Sequence, residues 1–164
     1  MSVGGSTRRS PSGRAYADTN VFIALFAGDA HPLHEPALRI FQRVADGNLR
    51  LIVTPIVVAE LVYVAERVLR WTRATTGRRF TELLGSLGLE VREADTLARA
   101  LALYGSTRSL DFADAYLAGA ALEVGPPRIA SLDADLDRVA GVTRIPLTPW
   151  TRTSTSRSTR PTDS

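Results

Sequence analysis

The chain contains no cysteine and no lysine. Without thiols there is no disulfide, no thiolate nucleophile and no Cys-ligated zinc, so any metal must be held by oxygen or by the two histidines, His31 and His34. Without lysine there is no Schiff-base chemistry, no P-loop lysine and no ammonium to neutralise a phosphoryl group. No apolar run approaches the roughly 20 residues needed to cross a bilayer. Residues 1–14 lack the apolar stretch of a secretory signal. A cytoplasmic protein with no membrane association is the expectation.

What is present is one domain's worth of chain: 164 residues, 45% of them hydrophobic, enough to bury a sizeable core. All twenty basic residues are arginine, and the formal charge is +3. That charge belongs to the ends. Arg8, Arg9, Arg14, Arg152, Arg157 and Arg160 lie in two stretches, 1–14 and 151–164, that are rich in Ser, Thr, Gly and Pro and have no apolar periodicity. Both read as disordered tails. The body, 15–150, keeps fourteen arginines against sixteen acids, a net charge of −2. The high isoelectric point therefore gives no sign of a basic nucleic-acid face on the fold. The tails can still contact RNA phosphates, or serve solubility alone.

Within the body, strand-like and helix-like segments alternate. A β-like run over 14–17 leads into Asp18, and a helix begins over 21–26. The spacing of Ala37, Leu38, Phe41, Val44 and Ala45 predicts a helix that Gly47-Asn48 stops. Leu49–Val53 reads as a strand. Thr54-Pro55 then supplies an N-cap and a proline at the first helical position, for a helix running through Val57, Leu61, Val64 and Val68 toward Trp71. A helical region over 72–87, a strand over 89–91 and a helix over 94–104 follow. Ser109 is a candidate cap for a helix to about Leu122. Pro126-Pro127 ends it, and a strand over 128–132, a short helix over 135–139 and a strand over 142–145 complete the body. This alternation predicts a three-layer α/β domain, a mostly parallel central sheet flanked by helices. Ligands in such domains gather beyond the carboxyl ends of the strands.

Acidic residues stand at those ends. Asp18 and Asp133 each follow a strand-like run directly. If the two strands are parallel and adjacent, both carboxylates emerge on one edge, although each Asp is equally a candidate helix cap. Glu60 is the sole charge in the apolar window Ile56-Val57-Val58-Ala59-Glu60-Leu61-Val62. A buried carboxylate needs a partner, whether an arginine or a ligand. Asp111 and Asp114 are three residues apart and share one helix face. The helix dipole accounts for an acid at Asp111 but explains less of Asp114, which favours a functional role there. Asp133, Asp135 and Asp137 crowd one short segment, where Asp135 and Asp137 can also charge the first turn of a helix; the segment lacks the glycine and distal Glu of an EF-hand loop. Hard carboxylate oxygens select Mg²⁺ or Mn²⁺ over zinc, and such a cluster suits metal-assisted attack of water on a phosphodiester. His31 and His34 are separated by Pro32 and followed by Pro36, so no continuous helix presents them together, and a loop or packing role fits better than metal binding.

At these residues the chain resembles the PIN domain, in particular the VapC-type toxins of toxin–antitoxin pairs. The landmarks are Ala17-Asp18-Thr19-Asn20-Val21, Val57-Val58-Ala59-Glu60-Leu61, Asp111-Phe112-Ala113-Asp114-Ala115-Tyr116-Leu117-Ala118 and Ile129-Ala130-Ser131-Leu132-Asp133-Ala134-Asp135, in that order over about Tyr16 to Pro149. The resemblance implies a Mg²⁺- or Mn²⁺-dependent endoribonuclease, with Asp18 and Asp114 as principal metal ligands and Glu60 and Asp133 completing the catalytic acids. Asn20, Asp111, Ser131 and Asp135 would be secondary acidic or polar positions. It further implies a homodimer, a small antitoxin that covers the site, and tRNA, rRNA or mRNA as substrate. The arginine-rich ends are not part of that pattern. Nor is the basic and aromatic stretch from Arg67 through Trp71 to Arg79, which is either a solvated amphipathic surface or an RNA-stacking patch.

Other readings fare worse. A catalytically silent PIN-like module that binds RNA or protein is the main alternative, against which all four acids speak. A haloacid-dehalogenase phosphatase needs an Asp where Asn20 stands, and a lysine. A nucleotide-binding α/β domain needs a Gly-rich phosphate loop that is absent.

Overall fold

The computed structural model describes residues 13–146. The arginines at 8, 9, 152, 157 and 160, and the last residues assigned to the body, lie outside the described residues. Arg14, counted above both with the N-terminal stretch and with the first β-like run, is the first residue of a strand, as that run predicts.

Strand β1 (Arg14–Tyr16) leads through Ala17-Asp18 into helix α1 (Thr19–Ala27), a short 3-10 turn (Gly28–Ala30) and helix α2 (His34–Ala45). Strand β2 (Arg50–Val53) feeds α3 (Pro55–Arg67), which is followed by α4 (Arg73–Leu84) and β3 (Leu89–Val91). Helices α5 (Ala94–Ser106) and α6 (Phe112–Val124) precede β4 (Arg128–Ala130), a 3-10 turn (Ala134–Arg138) and β5 (Thr143–Ile145). Every strand pairing among the described residues is parallel, and helices connect the strands, as a three-layer α/β domain requires. The strands form two groups, β1-β2-β3 and β4-β5. Thus β1 and β4, which precede Asp18 and Asp133, are not hydrogen-bonded neighbours, and the shared sheet edge expected for these two acids is not formed by direct pairing.

Register explains the core. Ala15↔Leu51↔Leu89 and Ala17, Val53 and Val91 fall on one side of the pleat, and Leu51, Val53 and Ala17 are buried with Val58, Leu61, Val62 and Leu97. On the opposite side Arg14 forms a two-pronged ion pair with Glu90, reaching past β2 (Nε–Oε2 3.0 Å, Nη2–Oε1 2.5 Å). Helices α4, α5 and α6 pack most closely, because small residues let their backbones meet. A Cβ added at Gly77 on α4 would come within 2.9 Å of the Leu101 carbonyl oxygen of α5, and one at Gly119 on α6 within 3.0 Å of the Thr96 carbonyl oxygen.

Several boundaries differ from the sequence expectations for local reasons. Helix α3 stops at Arg67 because Arg70 takes a left-handed backbone (φ +57°). Trp71, expected on that helix, folds back so that its N–H donates to the Ala65 carbonyl (2.9 Å). Helix α6 is capped by Asp111 rather than Ser109: the Asp111 carboxylate accepts from the Asp114 N–H at 2.9 Å. Leu110, between the two candidates, is fully buried and held in a turn to the Thr107 carbonyl, which delays the helix by two residues. Thr54 stands at the N-cap of α3 as expected, but its side chain makes no capping bond, and Pro55 carries the start.

Candidate active site

Because β1, β2 and β3 are parallel, their carboxyl ends share one edge, where the chain places Asp18, the start of α3 and Glu93. Asp18 turns out to be the N-cap of α1, its Oδ1 accepting from the Asn20 N–H at 2.8 Å. The Asn20 side chain is exposed, so what Asn20 contributes directly is this backbone donor. Capping occupies one carboxylate oxygen and leaves the other to the cleft. That cleft, about 320 Å³, is lined by Tyr16, Ala17, Asp18, Thr19, Val57 and Glu60.

Glu60 corrects an expectation. It is exposed rather than buried, because the apolar window around it is only half inward: Val58, Leu61 and Val62 are buried while Ile56 is 75% exposed. Its partner is not an arginine but the hydroxyl of Thr19, which donates to Glu60 Oε2 at 2.6 Å. Thr19 is itself only 3% exposed. A buried donor on α1 therefore fixes an acid on α3 across the cleft from Asp18. Thr19 lay inside the first motif, but nothing in the pattern marks a threonine as a clamp.

The second acidic group joins the start of α6 to the end of β4. Asp133 caps the 3-10 turn, accepting from the Asp135 N–H at 2.8 Å, while its own N–H donates to the Ser131 hydroxyl at 3.0 Å. Ser131 thus shapes the loop that carries Asp133. Asp114 is half-buried, and its carboxyl is held above the usual aspartate range. Burial contributes most, followed by the charges of Asp111 and Asp133, hydrogen bonding to Asp133, and the charge of Asp135. Asp111, Asp133 and Asp135 therefore all bear on Asp114. Among the described residues no three carboxylate or imidazole groups converge tightly enough to hold a cation by themselves. In donor type and charge, however, this set fits a hard divalent ion, whose charge would relieve the repulsion that raises Asp114.

Two residues near this edge escaped the sequence reading. Glu93, the residue before α5, sits in the left-handed region (φ +54°) without being glycine or asparagine. It accepts a short hydrogen bond from the Tyr116 hydroxyl on α6. Burial first, then the Glu93 carboxylate, push the Tyr116 phenol up to about 12. Arg138 links the acidic set to the preceding loop, its Nη1 lying 3.1 Å from Asp135 and 2.9 Å from the Ser109 hydroxyl.

The histidines are occupied structurally. His34 meets the Ala24 carbonyl through Nδ1 at 2.9 Å, and His31 Nδ1 accepts from the Leu33 N–H at 3.1 Å. The stretch around Trp71 is occupied too: its ring packs against Phe26 and Phe80 at 5.8 and 6.0 Å, and the Arg79 guanidinium lies 4.4 Å from its centroid. That makes Trp71 part of an aromatic cluster rather than a free stacking platform.

No helix among the described residues is long and apolar enough to cross a membrane. Neither a curated protein nor a solved structure is significantly similar to the chain. The family model for the PIN domain matches residues 15–142, most of the chain and every acid described above. With strands, helices and acids falling in that order within the matched region, the chain belongs to the PIN domain family, whose members are generally nucleases.

Proposed function

We propose that this protein is a Mg²⁺- or Mn²⁺-dependent endoribonuclease, acting in the cytoplasm as the toxin of a toxin–antitoxin pair. The observation that carries the reading is Asp114, raised first by its burial and then by Asp111, Asp133 and Asp135 around it, within a PIN domain. Such an arrangement holds negative charge together at a cost that a structural role does not require. Asp18 and Asp114 would hold the cation, with Glu60 and Asp133 completing the acidic set. When bound, the cation supplies a water of lowered pKa and neutralises charge developing on the phosphodiester. The chain's own residues orient the acids: the Asn20 N–H holds Asp18, the Thr19 hydroxyl holds Glu60, and the Asp135 N–H holds Asp133. A homodimer and a small antitoxin covering the cleft complete the proposal.

The test is cleavage of total RNA by purified protein with Mg²⁺ or Mn²⁺, with EDTA and Asp114→Asn as controls. Metal-dependent fragments lost in both controls are expected. An absence of cutting after any bound partner is stripped away favours instead a silent PIN-like module that binds RNA or protein. Co-expression with the neighbouring gene tests the antitoxin, which should co-purify.

A further inference from the structure

A second cleft lies beside the acidic groups, not within them. It measures about 610 Å³ and is lined by Ser106, Thr107, Arg108, Ser109 and Arg138. The two elements that supply the second acidic group also build this cleft. Arg108 and Ser109 stand in the loop just before Asp111, and Arg138 closes the 3-10 turn that Asp133 opens. Arg138 ties the two together, reaching both Asp135 and Ser109 through Nη1 alone. Its Nε and Nη2 groups have no partner among the described residues, and the side chain is 66% exposed. Arg108 is exposed and likewise has no hydrogen-bond or ion-pair partner among the described residues. By contrast, Arg73, Arg99 and Arg144 are committed to Glu66, Glu123 and Asp137.

The carbonyls ending α5 lend one wall partial negative charge, about half an elementary charge for a helix end. The Arg108 guanidinium, with the outward Nε and Nη2 of Arg138 whose charge is shared with Asp135, outweighs it, so the cleft favours an anion, and planar forks of donors suit a phosphate. The neighbouring acids repel a polyanion, so a strand approaching them must be gripped by cations outside the acidic set. We propose that the Arg108–Ser109–Arg138 cleft is a phosphate subsite. It seats a backbone phosphate of a single-stranded polynucleotide whose next linkages pass the acidic set. The proposal rests on the nuclease reading for the identity of the strand.

The test is fluorescence anisotropy of a labelled single-stranded RNA oligonucleotide on the full chain in EDTA, across a salt series. The variants are Arg108→Ala, Arg108→Lys and, as a distant exposed control, Arg43→Ala, with melting curves to verify folding. Loss of one phosphate contact lowers the slope of log K against log salt by about 0.7. Arg108→Ala should show that loss and a several-fold weaker affinity at low salt, whereas Arg108→Lys and Arg43→Ala keep the wild-type slope. In a cleavage assay Arg108→Ala should raise KM and leave kcat in place. DNA of the same sequence should show the same slope change, since the contact is to phosphate. A wild-type slope in Arg108→Ala, an equal loss in Arg43→Ala, a change confined to RNA, or no binding by the wild type overturns the subsite. Cleavage by a wild type indifferent to Arg108 removes the subsite and leaves the nuclease; a slope effect in a protein that never cuts does the reverse.

Discussion

Thr19→Val separates the positioning of Glu60 from the stability of the fold. The substitution is close to isosteric, and the residue is 3% exposed, so packing is conserved and only the hydroxyl is lost. That hydroxyl donates to Glu60 Oε2 at 2.6 Å. A hydrogen bond to a charged group contributes about 1.5–3 kcal/mol when both ends are buried. Here the acceptor is exposed and water replaces the lost donor, so the loss of stability should be about 1 kcal/mol or less. For a chain of this size that corresponds to a fall in Tm of roughly 2–4 °C. The effect on cleavage should be larger. Freed from its clamp, Glu60 samples several rotamers, and misplacement of an orienting group by about 1 Å costs up to about 100-fold. The assay is kcat on a defined RNA alongside thermal melting, with Thr19→Ser, which keeps the donor, as rescue. A kcat that falls by at least tenfold in the valine variant and recovers in the serine variant is expected. Equal kcat in all three proteins refutes the clamp. A loss of activity in proportion to a large fall in Tm refutes the separation of orientation from folding.

Asp114→Asn should abolish cleavage yet leave the protein at least as stable as wild type at neutral pH. The raised pKa means that ionised Asp114 opposes folding. The stabilisation of its protonated form is complete below the ordinary aspartate range and lost as pH rises through the folded pKa. Melting curves in EDTA should therefore show the two proteins converging as pH falls, and a variant less stable at every pH contradicts this. Asp137 has the opposite sign: its two bonds to Arg144 (3.0 and 2.8 Å) hold its carboxyl below the usual range. Their stabilisation is present above the unfolded pKa and lost as pH falls through the folded one, so the protection of the Ser131 and Val142 amides relative to their intrinsic exchange rates should fall on acidification in wild type but not in Arg144→Ala. Gly77→Ala forces a Cβ to within 2.9 Å of the Leu101 carbonyl. A cost of about 1–3 kcal/mol in urea unfolding is expected, and a neutral result places α4 and α5 farther apart than described. Arg73→Ala removes donors to the Tyr104 and Leu110 carbonyls and should cost about 2 kcal/mol in the same assay.

Local chemistry was legible in the sequence. The order of strands and helices follows from period and punctuation, and Asp18 and Asp133 each read as a cap or a functional acid because a carboxylate beside free N–H groups serves as both, whereas the capping by Asp111 was hidden behind Ser109. The absence of lysine and cysteine limits any cation to oxygen and imidazole donors at once, since it depends on no geometry. Tertiary structure decided which groups meet. The apolar window around Glu60 suggested burial, but a helix turns one side to solvent, and only the packing of α1 against α3 put the Thr19 hydroxyl on that carboxylate. The split between β1 and β4, the link from Arg138 to Ser109, and the repulsion that raises Asp114 all join segments far apart in the chain. Sequence period determines which face of an element is apolar; the distances between faces arise only when the elements pack.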